Sequence, residues 1–238
     1  MVFSEFSNKI VLVTGAAGGI GTATVRSFLN YNARVYQTDL KNIDDPRFLQ
    51  GDISDPEFIN RLVNKIVDKE GRIDILVNNA GICPRTPVME ISVEEWRKVM
   101  DINLTSIFQL SQAVMAVMIR NKSGAIINLA SLAGKIGGIT VGAHYSASKA
   151  AIECITKTFA KTGAQYGVRV NAVAPGVIDT EIHEKSTPAQ LEEYIKAIPL
   201  GRMGKPEEVA NIILVLASEL SSYITGLTID INGGQRMG

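Results

Sequence analysis

A chain of 238 residues, 46% hydrophobic and 20% charged, is long enough for a full α/β core in one domain and too apolar to stay disordered. Lys plus Arg equals Asp plus Glu at 24 each, so a zero formal net charge argues against nucleic-acid or anionic-membrane partners. The two cysteines, Cys83 and Cys154, form no CxxC or metal spacing, no signal peptide precedes the first strand, and no apolar run approaches the ~20 residues of a bilayer span. The expectation is a cytoplasmic protein with no metal.

Residues 9–13 (KIVLV) lack polar alternation, the pattern of a parallel strand covered on both faces. They run into Thr14, Gly15, Ala16, Ala17, Gly18, Gly19, Ile20 and Gly21, then a helical period through Leu29. In the order strand, glycine turn, helix, missing Cβ atoms let backbone approach a pyrophosphate, and the helix start supplies free N–H groups. Gly15, Ala17, Gly18, Gly19, Ile20 and Gly21 are therefore candidate cofactor contacts. A second strand over 33–38 ends at Asp39, where a carboxylate accepts from both adenosine ribose hydroxyls and repels a 2′-phosphate. Ala17 adds no basic group, so NAD is favoured over NADP, with Lys41 the one nearby residue pointing the other way.

Residues 40–50 are too short, and too broken by Pro46, for a crossover helix; a brief third strand is expected at 48–50. Asp52 is placed to accept from the adenine amino group and Ile53 to pack on the ring. Ser54 is the expected N-cap of a helix over 55–68. A fourth strand, 73–77, ends at Asn78, Asn79, Ala80 and Gly81, where open α/β sheets bind ligands. Asn79, Ala80 and Gly81 are assigned to the cofactor, and Asn78 equally to tying strands together. Cys83, Pro84 and Arg85 are candidate substrate contacts, with Cys83 read as packing rather than nucleophilic because it lacks a base partner.

Ser92 opens a long helix, 96–118, expected to break or bend at Asn103, whose amide competes with helical hydrogen bonds. A fifth strand, 124–129, leads to Ser131, whose hydroxyl suits a substrate carbonyl oxygen, and to a glycine-rich loop over 134–142. Tyr145 and Lys149 fall one turn apart on one helix face, where the ammonium favours the phenolate. His144 reads as a lid or interface residue. After a sixth strand, 168–174, Pro175, Gly176, Ile178 and Thr180 turn across the cleft, Ile178 offering its amide to a carboxamide and Thr180 its hydroxyl to the pyrophosphate. Residues 179–199 have the polar composition of a substrate lid. Pro206 opens another helix and 226–231 closes the sheet, with no linker dividing 1–238.

Taken in order, T-G-x-x-x-G-I-G at 14–21, N-N-A-G at 78–81, Asn103, Ser131, Y-x-x-x-K at 145–149 and P-G at 175–176 resemble the short-chain dehydrogenase/reductase family over 6–234. The resemblance implies a single-domain α/β Rossmann-type doubly wound parallel sheet, seven strands in order 3-2-1-4-5-6-7, and a homotetramer contacting through helices near 96–118 and 145–165. It implies that Tyr145 is general acid/base, that Ser131 polarises the carbonyl, that Lys149 binds the nicotinamide ribose and lowers the phenol pKa, and that Asn103 holds a relay water.

Within the family, the chain resembles 3-oxoacyl-[acyl-carrier-protein] reductases at 174–180 and 223–234, and also NAD-linked sugar and polyol dehydrogenases. The reading favoured by Asp39 is NAD(H)-linked interconversion of a sugar, polyol or other small secondary alcohol and its ketone. The alternative is 3-oxoacyl thioester reduction, for which Arg85, Arg120 and Lys122 would form a carrier-protein patch, although they read first as solvated surface. A remote alternative is a non-catalytic dinucleotide-binding regulator.

Overall fold

The computed structural model describes residues 3–138, 141–181 and 187–238. Seven parallel strands, β1 (Ile10–Thr14), β2 (Arg34–Asp39), β3 (Phe48–Gln50), β4 (Ile75–Asn78), β5 (Gly124–Leu129), β6 (Val168–Pro175) and β7 (Thr228–Ile231), form one sheet in order β3-β2-β1-β4-β5-β6-β7. Alternate side chains of β1 enter opposite cores, as a pleated strand covered on both faces requires. Val11 and Val13 pack with Val25 and Phe28 of α1 (Gly19–Leu29) and with Val209 and Ile213 of α8 (Pro206–Ala217). Ile10 and Leu12 pack with Leu62 and Ile66 of α2 (Pro56–Glu70) and with Leu110 and Val114 of α4 (Ser106–Asn121).

The registers align the strand ends that carry function: Thr14 lies beside Thr38, and Asn78 beside Asn128. Under that edge runs a buried amide chain. Asn78 Nδ2 donates to Ser111 Oγ at 2.9 Å and to Asn128 Oδ1 at 2.8 Å, and Asn128 Nδ2 donates to Thr156 Oγ1 at 2.9 Å. Asn78 therefore ties β4 to β5, α4 and α6 (Ala143–Gly163).

Local differences from expectation have local causes. The α2 N-cap is Asp55, which accepts from Glu57 N–H at 2.9 Å, while Ser54 turns back to Asp52. Pro56 fixes the first helical φ, so the cap falls on the residue just before it. The long helix comprises α3 (Val93–Met100), a π-turn at Asp101–Thr105 and α4, with Asn103 inside the π-turn. By length and composition alone, Val93–Asn121 is apolar enough to cross a bilayer, but half of its apolar window is buried within this fold. The stretch expected as a glycine loop contains a helical turn, α5 (Ala133–Ile136), ended by Gly137 at φ 75°; residues 139–140 lie outside the described residues. In the expected lid, α7 (Pro188–Lys196) is held by a Thr187/Gln190 capping box, and residues 182–186 lie outside the described residues.

Candidate active site

The glycine turn is shaped by close backbone approach. Gly15 adopts φ 64°, and a Cβ there would meet Ala80 Cα at 2.8 Å. A Cβ on Gly21 would come within 2.0 Å of Gly15 O, so Gly21 seats the helix under the turn rather than lining the cleft. Thr14 Oγ1 accepts from Asn79 and Ala80 N–H, both at 3.0 Å, and Asn79 Nδ2 donates to Gly15 O at 2.8 Å. The β1 and β4 ends are thus locked into one backbone cradle, and it fits a dinucleotide diphosphate.

Asp39 stands at the edge of that cradle. Its Oδ2 accepts from Ala17 N–H at 3.0 Å and its Oδ1 from Lys41 N–H at 3.0 Å. No helix intervenes between β2 and β3 among the described residues. Asp52 Oδ1 accepts instead from Ser54 N–H and Oγ at 2.8 and 2.7 Å, and Ile53 is only 8% exposed in the core beside Phe58. Ala17, Gly21, Asp52, Ile53, Pro84 and Asn103 are not among the cleft walls; the other residues assigned from sequence to cofactor, catalysis or substrate contact are.

At the other end, Tyr145 shares side-chain hydrogen bonds with Ser131 and Cys83. The Lys149 ammonium lies 5.7 Å from the Tyr145 ring centre and donates to Leu129 O at 2.6 Å. Tyr145 is half-buried and lines the cleft. Burial, seconded by Cys83, pushes the phenol above its ordinary value, against a smaller opposite effect of the Ser131 bond. The expected lowering by Lys149 is corrected here: desolvation dominates, and the ammonium is directed to Leu129 O. Burial also lowers Lys149 to about 8 and pushes the Cys83 thiol up to about 11, in keeping with a packing role.

Two residues act behind the walls. Asn103 Oδ1 accepts from Ile82 N–H at 2.8 Å, while its Nδ2 donates to Ile82 O at 2.9 Å and Ser148 Oγ at 3.2 Å. The π-turn amide therefore staples the loop after β4 to α6. His144 is fully buried within the chain rather than a lid or interface residue. Its Nδ1 accepts from Tyr145 N–H at 2.9 Å, and its Nε2 lies 3.4 Å from Glu95 Oε1, which also accepts from Thr86 Oγ1 at 2.7 Å. The loop and the start of α6 are fixed together around the reacting groups.

The cleft, about 570 Å³, continues past Ser131 and Tyr145 between Leu132, Ile136, Val141, Val177, Tyr194 and Ala197. Tyr194 and Ala197 fall in the stretch 179–199 expected as a substrate lid, whereas Leu132, Ile136, Val141 and Val177 were not assigned from sequence. Ile136 and Val141 flank a stretch whose glycines masked them, and Ala197 is brought in by α7. Gln235, beyond β7, also reaches the cleft and carried no local signal. The bridge of Ile178 to Gly204 runs through Val177 O and Asp179 N–H, leaving the Ile178 amide on the opposite edge.

A family profile described as "Enoyl-(Acyl carrier protein) reductase" matches residues 15–236. A 3-oxoacyl-[acyl-carrier-protein] reductase of Thermotoga maritima is 43% identical, over 97% of this chain and 98% of its own. The chain belongs to the short-chain dehydrogenase/reductase family. Among solved structures, a 3-oxoacyl-[acyl-carrier protein] reductase from Brucella melitensis superposes with TM-score 0.90 at 37% identity, covering 99% of this chain and 94% of that one. Thermoplasma acidophilum aldohexose dehydrogenase gives TM-score 0.90 at 32% identity, covering 98% and 96%. As a member of this family the protein is an oxidoreductase, and the family uses a nicotinamide dinucleotide.

Lys149 gives this short-chain dehydrogenase/reductase a pH signature. From about 8 up to the ordinary lysine value of 10.5, the unfolded chain holds a proton that the folded protein has released. Stability therefore rises with pH through that window, and the burial cost of the ammonium is fully present below it. Relative to Lys149→Met, the wild type is expected to gain on the order of 2 kcal/mol between about pH 7 and pH 10, read by urea unfolding. Parallel stability curves for the two proteins would contradict the assignment.

Proposed function

We infer that the protein reduces a 3-oxoacyl thioester to the 3-hydroxyacyl thioester with NADH. The observation that carries the substrate class is the apolar continuation of the cleft beyond Ser131 and Tyr145, formed by Ile136, Val141, Val177 and Ala197. It suits an acyl chain better than a polyhydroxylated sugar, whose hydroxyls would be desolvated against it. The names of the relatives support the same reading, which displaces the sugar or polyol substrate favoured from the sequence. Asp39 at the adenosine end supports NADH over NADPH through repulsion of a 2′-phosphate.

The bound cofactor supplies the hydride received by the carbonyl carbon. Tyr145 gives its proton to the carbonyl oxygen, and the Ser131 hydroxyl donates to that oxygen as negative charge develops. Tyr145 carries its proton at neutral pH, and the Ser131 bond offsets part of the rise that burial imposes on the phenol. Lys149 sets the charge beside Gly81, where a Cβ would stand 3.7 Å from Nζ, and is placed for the nicotinamide ribose. Asn103 holds the Ile82 backbone, and so the loop bearing Cys83 and Arg85.

Assembly into a homotetramer through the α3/α4 and α6 faces belongs to this reading, supported by Trp96 and Phe108, 40% and 44% exposed. A carrier protein is the matching macromolecular partner. The second reading, oxidation of an aldose, is favoured by the likeness to aldohexose dehydrogenase. The initial rate of NADH oxidation with acetoacetyl thioester, set beside NAD reduction with aldohexoses, decides between them. Turnover of the thioester alone is expected; turnover of aldohexoses alone would move the protein to the second reading.

A further inference from the structure

The start of α1, like those of α4 and α6, carries no acidic residue in its first turn. α2, α3 and α8 each carry acidic residues in the first turn: Glu57, then Glu94 and Glu95, then Glu207 and Glu208. The α1 N-cap, Gly18, provides no side-chain bond. Free N–H groups at a helix start concentrate positive potential and favour an anion. Here the anion comes from 162 residues away: Gly19 N–H donates to Glu181 Oε2 at 3.1 Å.

The approach to that contact is fixed. Asp179 N–H donates to Gly204 O at 2.9 Å, and Thr180 Oγ1 donates to Ile178 O at 3.4 Å. The Thr180 methyl covers Gly19 so closely that a Cβ there would come within 2.7 Å of it. Gly18, Gly19, Ile20, Thr180 and Glu181 share one stretch of the cleft wall. Glu181 is exposed, and among the described residues its carboxylate accepts this charge-assisted bond from Gly19 N–H.

We propose that Glu181 is an internal competitor for the cofactor diphosphate, holding the α1 N-terminus until a dinucleotide displaces it. Two anions cannot share one N–H, and each raises the cost of the other's approach. Apparent cofactor affinity is then the intrinsic affinity multiplied by the fraction of molecules with Glu181 swung away. The cradle admits a phosphate only with movement of this side chain, whichever substrate the enzyme reduces. The inference rests on the dinucleotide part of the reading above and is independent of its substrate part.

The test is direct binding, without turnover. NADH, ADP-ribose and adenosine are titrated into the wild type, Glu181→Gln and Glu181→Ala, by nucleotide fluorescence and calorimetry. Both variants are expected to bind NADH and ADP-ribose about three- to tenfold more tightly, and adenosine, which lacks phosphate, equally well. Unchanged or weaker NADH binding in both variants would overturn the proposal. Equal tightening of adenosine would overturn it as well, by moving the effect away from the diphosphate. Failure of all three proteins to bind NADH would overturn the cofactor reading and this inference together, whereas NADH binding without thioester turnover would remove only the substrate assignment.

Discussion

Replacing Tyr145 with phenylalanine is expected to lower kcat for 3-oxoacyl thioester reduction by about 10³-fold while leaving the NADH dissociation constant within about twofold of wild type. Phenylalanine keeps the ring against the cleft and removes the hydroxyl shared with Ser131 and Cys83. The loss should appear in kcat and in kcat/KM alike, because the proton moves only in the transition state. A residual polarising effect from Ser131 remains, so the activity should not fall to the background rate. Single-turnover kinetics with bound NADH isolate the chemical step. A variant that reduces the thioester at the wild-type rate would remove Tyr145 as the acid.

Replacing Asp39 with serine is expected to change the ratio of NADH to NADPH efficiency by about 10²-fold in favour of NADPH. Placing a carboxylate against a 2′-phosphate costs several kcal/mol, and removing the charge lifts that penalty. NADH binding should weaken by roughly tenfold at the same time, since ribose hydroxyls lose a charged acceptor. The same substitution removes the Asp39 link to Ala17 N–H, which fixes the turn after β1. Measuring kcat/KM with each cofactor in both proteins separates the two effects: loss of turn geometry lowers both cofactors, and loss of charge moves them apart. Equal losses would assign Asp39 to the turn alone.

The parallel sheet was legible because its central strands β1, β4 and β5 are short, largely apolar runs, each followed by residues unsuited to a strand interior. Thr14, Asn78 and Ser131 mark ends of β1, β4 and β5 that meet at one cleft, and ordered motifs place them on the correct edge. The spacing of Tyr145 and Lys149 fixed their common helical face, since a period of 3.6 residues leaves no other choice. The local cost of an amide inside a helix marked Asn103, and the π-turn there bears the signal out.

Other features depend on residues far apart in sequence. Charge proximity on one helix predicts a lowered phenol, but the degree of burial is a property of the whole cleft, and it reverses the sign at Tyr145. His144 has no sequence partner; Glu95, itself held by Thr86, reaches it only after α3 packs on α6. The apolar wall of the cleft joins Val141, Val177 and Ala197 from three separate segments, so no periodicity announces it. Glu181 meets Gly19 across 162 residues. Thus the sequence by itself determined most of the elements, their order along the chain and the candidate acid–base groups, because these follow from local period and side-chain chemistry. The tertiary structure alone decided which charges are desolvated, which walls face the substrate and which carboxylate sits on the helix start, because each is a distance between segments that the chain brings together only on folding.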